Sequence, residues 1–174
     1  MNSLTRYFVV LLILLLGACG FHLRDYADFP FRTIYISNTN TNTLVGRDLK
    51  RALSANGVKV ISSAEDADLS LEFLSDATEK RILSLGSSTG TSTGAVREFE
   101  LFHRVSYRLR GHGNETWSPS DLIENRRDFS YSDSEVLAKG FEENMLYENM
   151  RADAVRQLMR KLSTYKPTVS APAQ

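Results

Sequence analysis

Val96-Arg97-Glu98-Phe99-Glu100-Leu101-Phe102-His103-Arg104-Val105-Ser106-Tyr107-Arg108-Leu109-Arg110 is the stretch that decides the fold. Its side chains alternate with the period of two that belongs to a β-strand. Phe99, Leu101, Val105, Tyr107 and Leu109 fall on one face, and His103 continues it. Glu98, Glu100, Arg104, Ser106 and Arg108 fall on the other, with Phe102 as the exception. A strand patterned this way packs one face on a core and turns the other to water or to a polar partner.

The surroundings of this strand follow from turn chemistry. Gly86-Ser87-Ser88-Thr89-Gly90-Thr91-Ser92-Thr93-Gly94 precedes it and reads as a flexible tip. On the far side of the tip, Leu69, Leu71 and Phe73 alternate with polar residues, so a long hairpin is expected. Ser118-Pro119 then marks a turn before a weaker strand over Leu122–Tyr131.

Toward the N-terminus, Thr33-Ile34-Tyr35-Ile36-Ser37 is β-branched and aromatic, as in a buried strand. Asn42 and Thr43 are candidate caps for a helix on which Leu44, Val45, Leu49, Ala52 and Leu53 recur at helical spacing. Asn56-Gly57 supplies its left-handed stop, and Val58, Val60 and Ile61 make the next strand. That strand–helix–strand order implies a parallel pair joined by a right-handed crossover.

A second helical pattern runs from Ser134 to about Tyr165, with Leu146, Met150, Val155, Leu158, Met159 and Leu162 on one face. Gly140 in its first turns predicts a kink or a late start. The elements predict an α+β fold: a two-layer sandwich with two helices on one face of a small mixed sheet.

Residues 1–18 stand outside this scheme. Arg6 precedes an unbroken apolar run from Tyr7 to Leu16, and Gly17 and Ala18 follow. This is the order of a secretory signal peptide, and the run is about half the roughly 20 residues a spanning helix needs. Leu16-Gly17-Ala18-Cys19 resembles the bacterial lipobox, in which the Cys is acylated and becomes the new N-terminus. Three acyl chains exceed the two signals that stable membrane anchoring takes. By resemblance to the bacterial sorting rule, Gly20 after the Cys favours the outer membrane. The expected layout is a cleaved signal at 1–18, one domain over 19–166, and a disordered Pro/Ala/Ser/Thr-rich tail at 167–174.

Several kinds of chemistry find no support. Cys19 is the chain's single Cys, so neither a disulfide framework nor a free thiol nucleophile is expected. His22, His103 and His112 lack partners at ligand spacing, so no metal site is expected, and His103 on the apolar face of the long strand reads as a satisfied structural histidine. The 86–94 tip lacks the Lys and following helix of a phosphate loop, and Glu65, Asp66 and Asp68 read as a solvated charge run. No enzyme and no cofactor are expected.

The chain holds 21 basic and 21 acidic residues, a balance that excludes a nucleic-acid binder held by bulk electrostatics. The balance is not uniform. Residues 59–79 carry six acids against one base, and residues 80–110 carry six bases against two acids. Arg104, Arg108 and Arg110 share the polar face of the long strand, and Arg126 and Arg127 lie on the next. Two readings of that face stand: an anion-binding surface, or a solvated one whose arginines pair with neighbouring glutamates.

Cys19-Gly20-Phe21-His22-Leu23-Arg24-Asp25 is similar to the opening of the lipopolysaccharide-assembly lipoprotein family, LptE. Leu53-Ser54-Ala55-Asn56-Gly57-Val58, Glu98-Phe99, Leu137-Ala138-Lys139 and Gln157-Leu158-Met159-Arg160-Lys161-Leu162 resemble later family segments. The resemblance implies a one-to-one plug in the lumen of the LptD-type outer-membrane barrel, which assists barrel assembly and binds lipopolysaccharide (LPS). It places the protein at the periplasmic side of the outer membrane, held by its lipid anchor. Lys139 matches a basic family position implicated in LPS binding. The second such position falls in the loop before the long strand, where this chain has Ser and Thr and where Arg97 and Arg81 are the nearby bases. Arg97, Arg104 and Arg108 join Lys139 as LPS-binding candidates. Two alternatives stay open: a free-standing carrier of anionic lipid, and a scaffold with no ligand.

Overall fold

The computed structural model describes residues 28–37, 43–86, 95–130 and 136–166. The signal segment, Cys19, the 87–94 part of the hairpin tip and the 167–174 tail lie outside them.

Ile34 and Ile36 of β1 (Thr33–Ser37) are buried while Thr33, Tyr35 and Ser37 are not, so the strand turns one face inward. Thr43 caps α1 (Leu44–Ala55), its Oγ1 accepting from the Gly46 amide at 3.0 Å. The space at Gly46 is tight: a Cβ would sit 3.0 Å from the Thr43 Oγ1 and 3.5 Å from the Phe73 ring. The helix ends in a Schellman pair, with Val58 N donating to Leu53 O and Gly57 N to Ser54 O. Gly57 takes the positive φ of 79° that this ending needs.

The chain continues through β2 (Lys59–Ile61), β3 (Leu69–Gly86), β4 (Ala95–Gly111), β5 (Asp121–Ser130) and α2 (Val136–Ser163). The sheet order is β2-β1-β3-β4-β5. β1 runs parallel to both β2 and β3, while β3–β4 and β4–β5 are antiparallel. The architecture is the expected α+β sandwich of two helices on a mixed sheet with a long hairpin. α2 passes through Gly140 without interruption.

β3 is longer than its alternation implied. Leu69–Glu72 pair with β1, but the strand continues to Gly86 against β4 alone. A register shift between Phe73 and Ser75 marks the change. Past it, charged and polar side chains occupy both faces, so the hydrophobic period that would announce a strand is missing.

The core divides accordingly. Its larger part joins Ile34, Ile36, Leu69, Leu71, Val105 and Tyr107 to Leu49 and Leu53 of α1 and Leu158 and Leu162 of α2. A smaller part, Leu101, Phe129 and Met150, lies where the first half of α2 crosses the distal hairpin.

Candidate functional site

The two faces of the sheet carry different chemistry. On the face away from the helices, Arg104 is held between Glu79, at 2.6 Å, and Glu124. Arg108 meets Glu72 at 2.5 Å, Arg81 meets Glu79 at 2.5 Å, and Arg126 pairs with Glu100. The paired guanidinium groups of Arg81 and Arg104 lower the Glu79 carboxyl below its ordinary range, Arg81 contributing most. Glu124, then Glu79, raises Arg104 in turn.

Phe102, the apolar exception on this face, is buried because guanidinium planes cover it. Arg104 lies 4.4 Å and Arg81 4.9 Å from its ring centroid. Trp117 does the same service between Arg108 and Arg110, at 4.8 and 4.7 Å. Arg81, Arg104, Arg108 and Arg126 are therefore matched by carboxylates, and Arg110 stacks on Trp117. Of the two sequence readings, the geometry here is the paired one.

Lys139 lies on the opposite side. It stands in the first turns of α2, 2.9 Å from Glu142 and 5.5 Å above the Phe129 ring. A second lysine shares that ring. Lys80 of β3 is 5.7 Å from the Phe129 centroid and 4.0 Å from that of Phe99, and pairs with Glu143 at 2.6 Å. Phe99 and Phe129 stack at 6.4 Å across β4 and β5. The structure thus separates Lys139 from Arg104 and Arg108 by the thickness of the sheet, and joins it to Lys80. Arg97 belongs to β4 by its backbone, and its side chain lies outside the described residues.

In the sequence Lys80 stands out only as part of the charge excess over residues 80–110. What could have singled it out is the antiparallel register, which sets Lys80 against Leu101 on the helix-facing side.

Two other expectations change. His103 is buried, and its Nε2 lies 2.9 Å from the Asp76 Oδ1, but its Nδ1 has no partner among the described residues. It is a half-satisfied histidine rather than a fully satisfied one. Asp68 is more than a member of a solvated run: its Oδ2 accepts from the amides of Arg32 and Thr33 at 2.9 and 2.8 Å. Those bonds, Arg32's first, hold its carboxyl below the ordinary range.

A third polar network ties the layers together. Tyr107 donates to Asp121 at 2.9 Å, and Lys161 of α2 reaches the same oxygen. Burial first, then Asp121, pushes the Tyr107 phenol up, while Lys161 draws Asp121 down. Among the described residues no three His, Cys, Asp or Glu side chains are grouped to hold a metal.

The lipopolysaccharide-assembly family model, LptE, matches residues 31–162, which span every element of the sheet and both helices. The chain belongs to the LptE family. It is 26% identical over 157 residues to the LPS-assembly lipoprotein LptE of Pectobacterium atrosepticum, covering 88% of this chain and 82% of that protein. Among solved structures, lipoprotein B of Nitrosomonas europaea superposes with a TM-score of 0.67 at 38% identity, over 83% of this chain and 90% of that one. Rare lipoprotein B of Shewanella oneidensis gives 0.64 at 26%, over 76% and 94%. Against this LptE frame, Lys139 and Lys80 are the basic pair set apart from the self-paired arginine face.

Proposed function

We propose that this chain is a non-catalytic lipoprotein of LPS assembly, anchored through acylated Cys19 to the periplasmic side of the outer membrane. In this reading it sits in the lumen of an LptD-type barrel and meets LPS at the distal end of its hairpin, through Lys139 and Lys80. Family membership supports the assembly role.

The observation that carries the site is the Lys80–Lys139 pair over Phe99 and Phe129. Each lysine has one glutamate partner in the described residues, and single pairs at a partly exposed site are worth about 0–1 kcal/mol. A phosphate or carboxylate of the ligand can displace Glu142 and Glu143 at small cost, with the rings beneath keeping the ammonium groups in place. Arg104, gripped by two carboxylates, offers no such exchange. The paired arginine face suits a barrel lumen, which is polar and rewards hydrogen-bonding side chains over an apolar patch.

Purified full-length protein carrying Lys80→Glu and Lys139→Glu tests the site. LPS binding should weaken at least about tenfold, the scale of one lost charge-assisted bond. Arg108→Gln on the other face should leave it unchanged, and the barrel should co-purify with both variants. Unaltered LPS binding in the double lysine variant would leave the scaffold reading. Intact lipoprotein recovered from solubilised outer membranes with no large barrel attached would remove the plug.

A further inference from the structure

β1 leaves β3 at the Ser37–Glu72 pair, and from Ser75 to Ile82 the register with β4 is unbroken. Among the described residues no strand pairs with that stretch on its other side. Asp76 and Thr78 of this stretch also line a cleft of about 550 Å³ beside it. Leu44 at the start of α1, His103 of β4, and Asn144, Tyr147, Glu148 and Arg151 of α2 complete the lining. The Tyr147 hydroxyl reaches the Glu79 backbone carbonyl at 3.4 Å, so cleft and strand edge adjoin.

The cleft has a defined chemical demand. The Nε2 of His103 faces the Asp76 carboxylate, an acceptor, and therefore carries a proton. Its Nδ1 is buried and has no partner among the described residues. Arg151 is engaged by Asp48 at 3.0 Å, so its charge is already met. Asp76 and Glu148 remain as carboxylates at the cleft, Glu148 exposed and with no ion-pair partner among the described residues.

A free strand edge attracts an extended backbone, and alternate side chains of an added strand point to one face. We propose that the Ser75–Ile82 edge of β3 receives an extended segment of another polypeptide, which places a lysine or arginine side chain in the His103 cleft. The strand supplies main-chain hydrogen bonds. The cationic head meets the carboxylates of Asp76 and Glu148, which an acidic side chain would be repelled by and an apolar one could not pair with. The edge includes Lys80 of the LPS site above, but the proposal rests on Asp76, His103 and Glu148 and does not depend on that site.

The probe is a short peptide alternating valine and threonine around one central lysine, titrated into full-length detergent-solubilised protein. It should shift the His103 ring resonances and slow amide exchange over Ser75–Glu79. Replacing its lysine by norleucine, methylating its alternate backbone nitrogens, or introducing Glu148→Gln into the protein should each weaken binding about tenfold. Glu148 is exposed, so that variant keeps its fold. Failure of the lysine peptide to bind at millimolar concentration would overturn the proposal, as would equal binding of the norleucine or N-methyl peptide. Amide protection confined to residues outside β3 would do the same.

Discussion

Asp68 shows what a single side chain can do at the join of two strands. Its Oδ2 accepts from Arg32 N and Thr33 N while its own amide donates to Thr33 Oγ1 at 2.9 Å, which fastens the start of β1 to the approach of β3. Because these donors favour the charged form, the folded carboxyl titrates below the unfolded one. Its stabilisation is therefore present above the unfolded carboxylate range and lost as pH falls through the lowered folded value. Asp68→Asn should cost about 1 kcal/mol at neutral pH, the net value of a typical hydrogen bond, since solvent at this exposed site screens the added charge. That difference should vanish in acid, and urea unfolding of both proteins across a pH series measures it. The role was invisible in Glu65-Asp66-Ala67-Asp68 because its partners are backbone amides some 36 residues away.

At the scale of elements, the helices were legible and half of the hairpin was not. α1 carries its cap, its Val45–Leu49–Leu53 stripe and its Gly57 stop within one short run, so its limits follow from local chemistry. Thr43→Ala should lower stability by about 1 kcal/mol, the usual value for a lost cap. On α2, Leu158 is fully buried against the sheet whereas Met145 is 62% exposed. Leu158→Ala should cost about 3 kcal/mol and Met145→Ala close to none, both read from denaturation midpoints at constant slope. The second half of β3 gave no signal of this kind. Asp76, Thr78 and Lys80 face the helix layer, and Glu79 and Arg81 face the arginine surface, so its two sides are equally polar. A period-two rule has nothing to detect there.

For the whole molecule, the division of the core sets where it opens. Among the described residues, seventeen buried ones hold the proximal sheet to both helices, and three hold the distal hairpin to α2. Local opening free energies follow the apolar contact that must be broken. Amides of Phe99 to Leu101 should therefore exchange at lower free energy than those of Val105 to Leu109, in native-state hydrogen exchange. If all exchange together at the global value, the two cores act as one. Strand period, helix stripe, caps and the lipobox-like run are properties of adjacent residues, so the α+β class and the LptE resemblance could be read before any coordinates. The grouping of cations is different. Whether Arg104 is free or gripped, and whether Lys139 joins it or Lys80, depends on strand register and on the face each side chain takes. Those are settled by contacts between residues such as Lys80 and Glu143, 63 apart in the chain. Burial and antiparallel pairing bring them together, and no local pattern encodes that meeting.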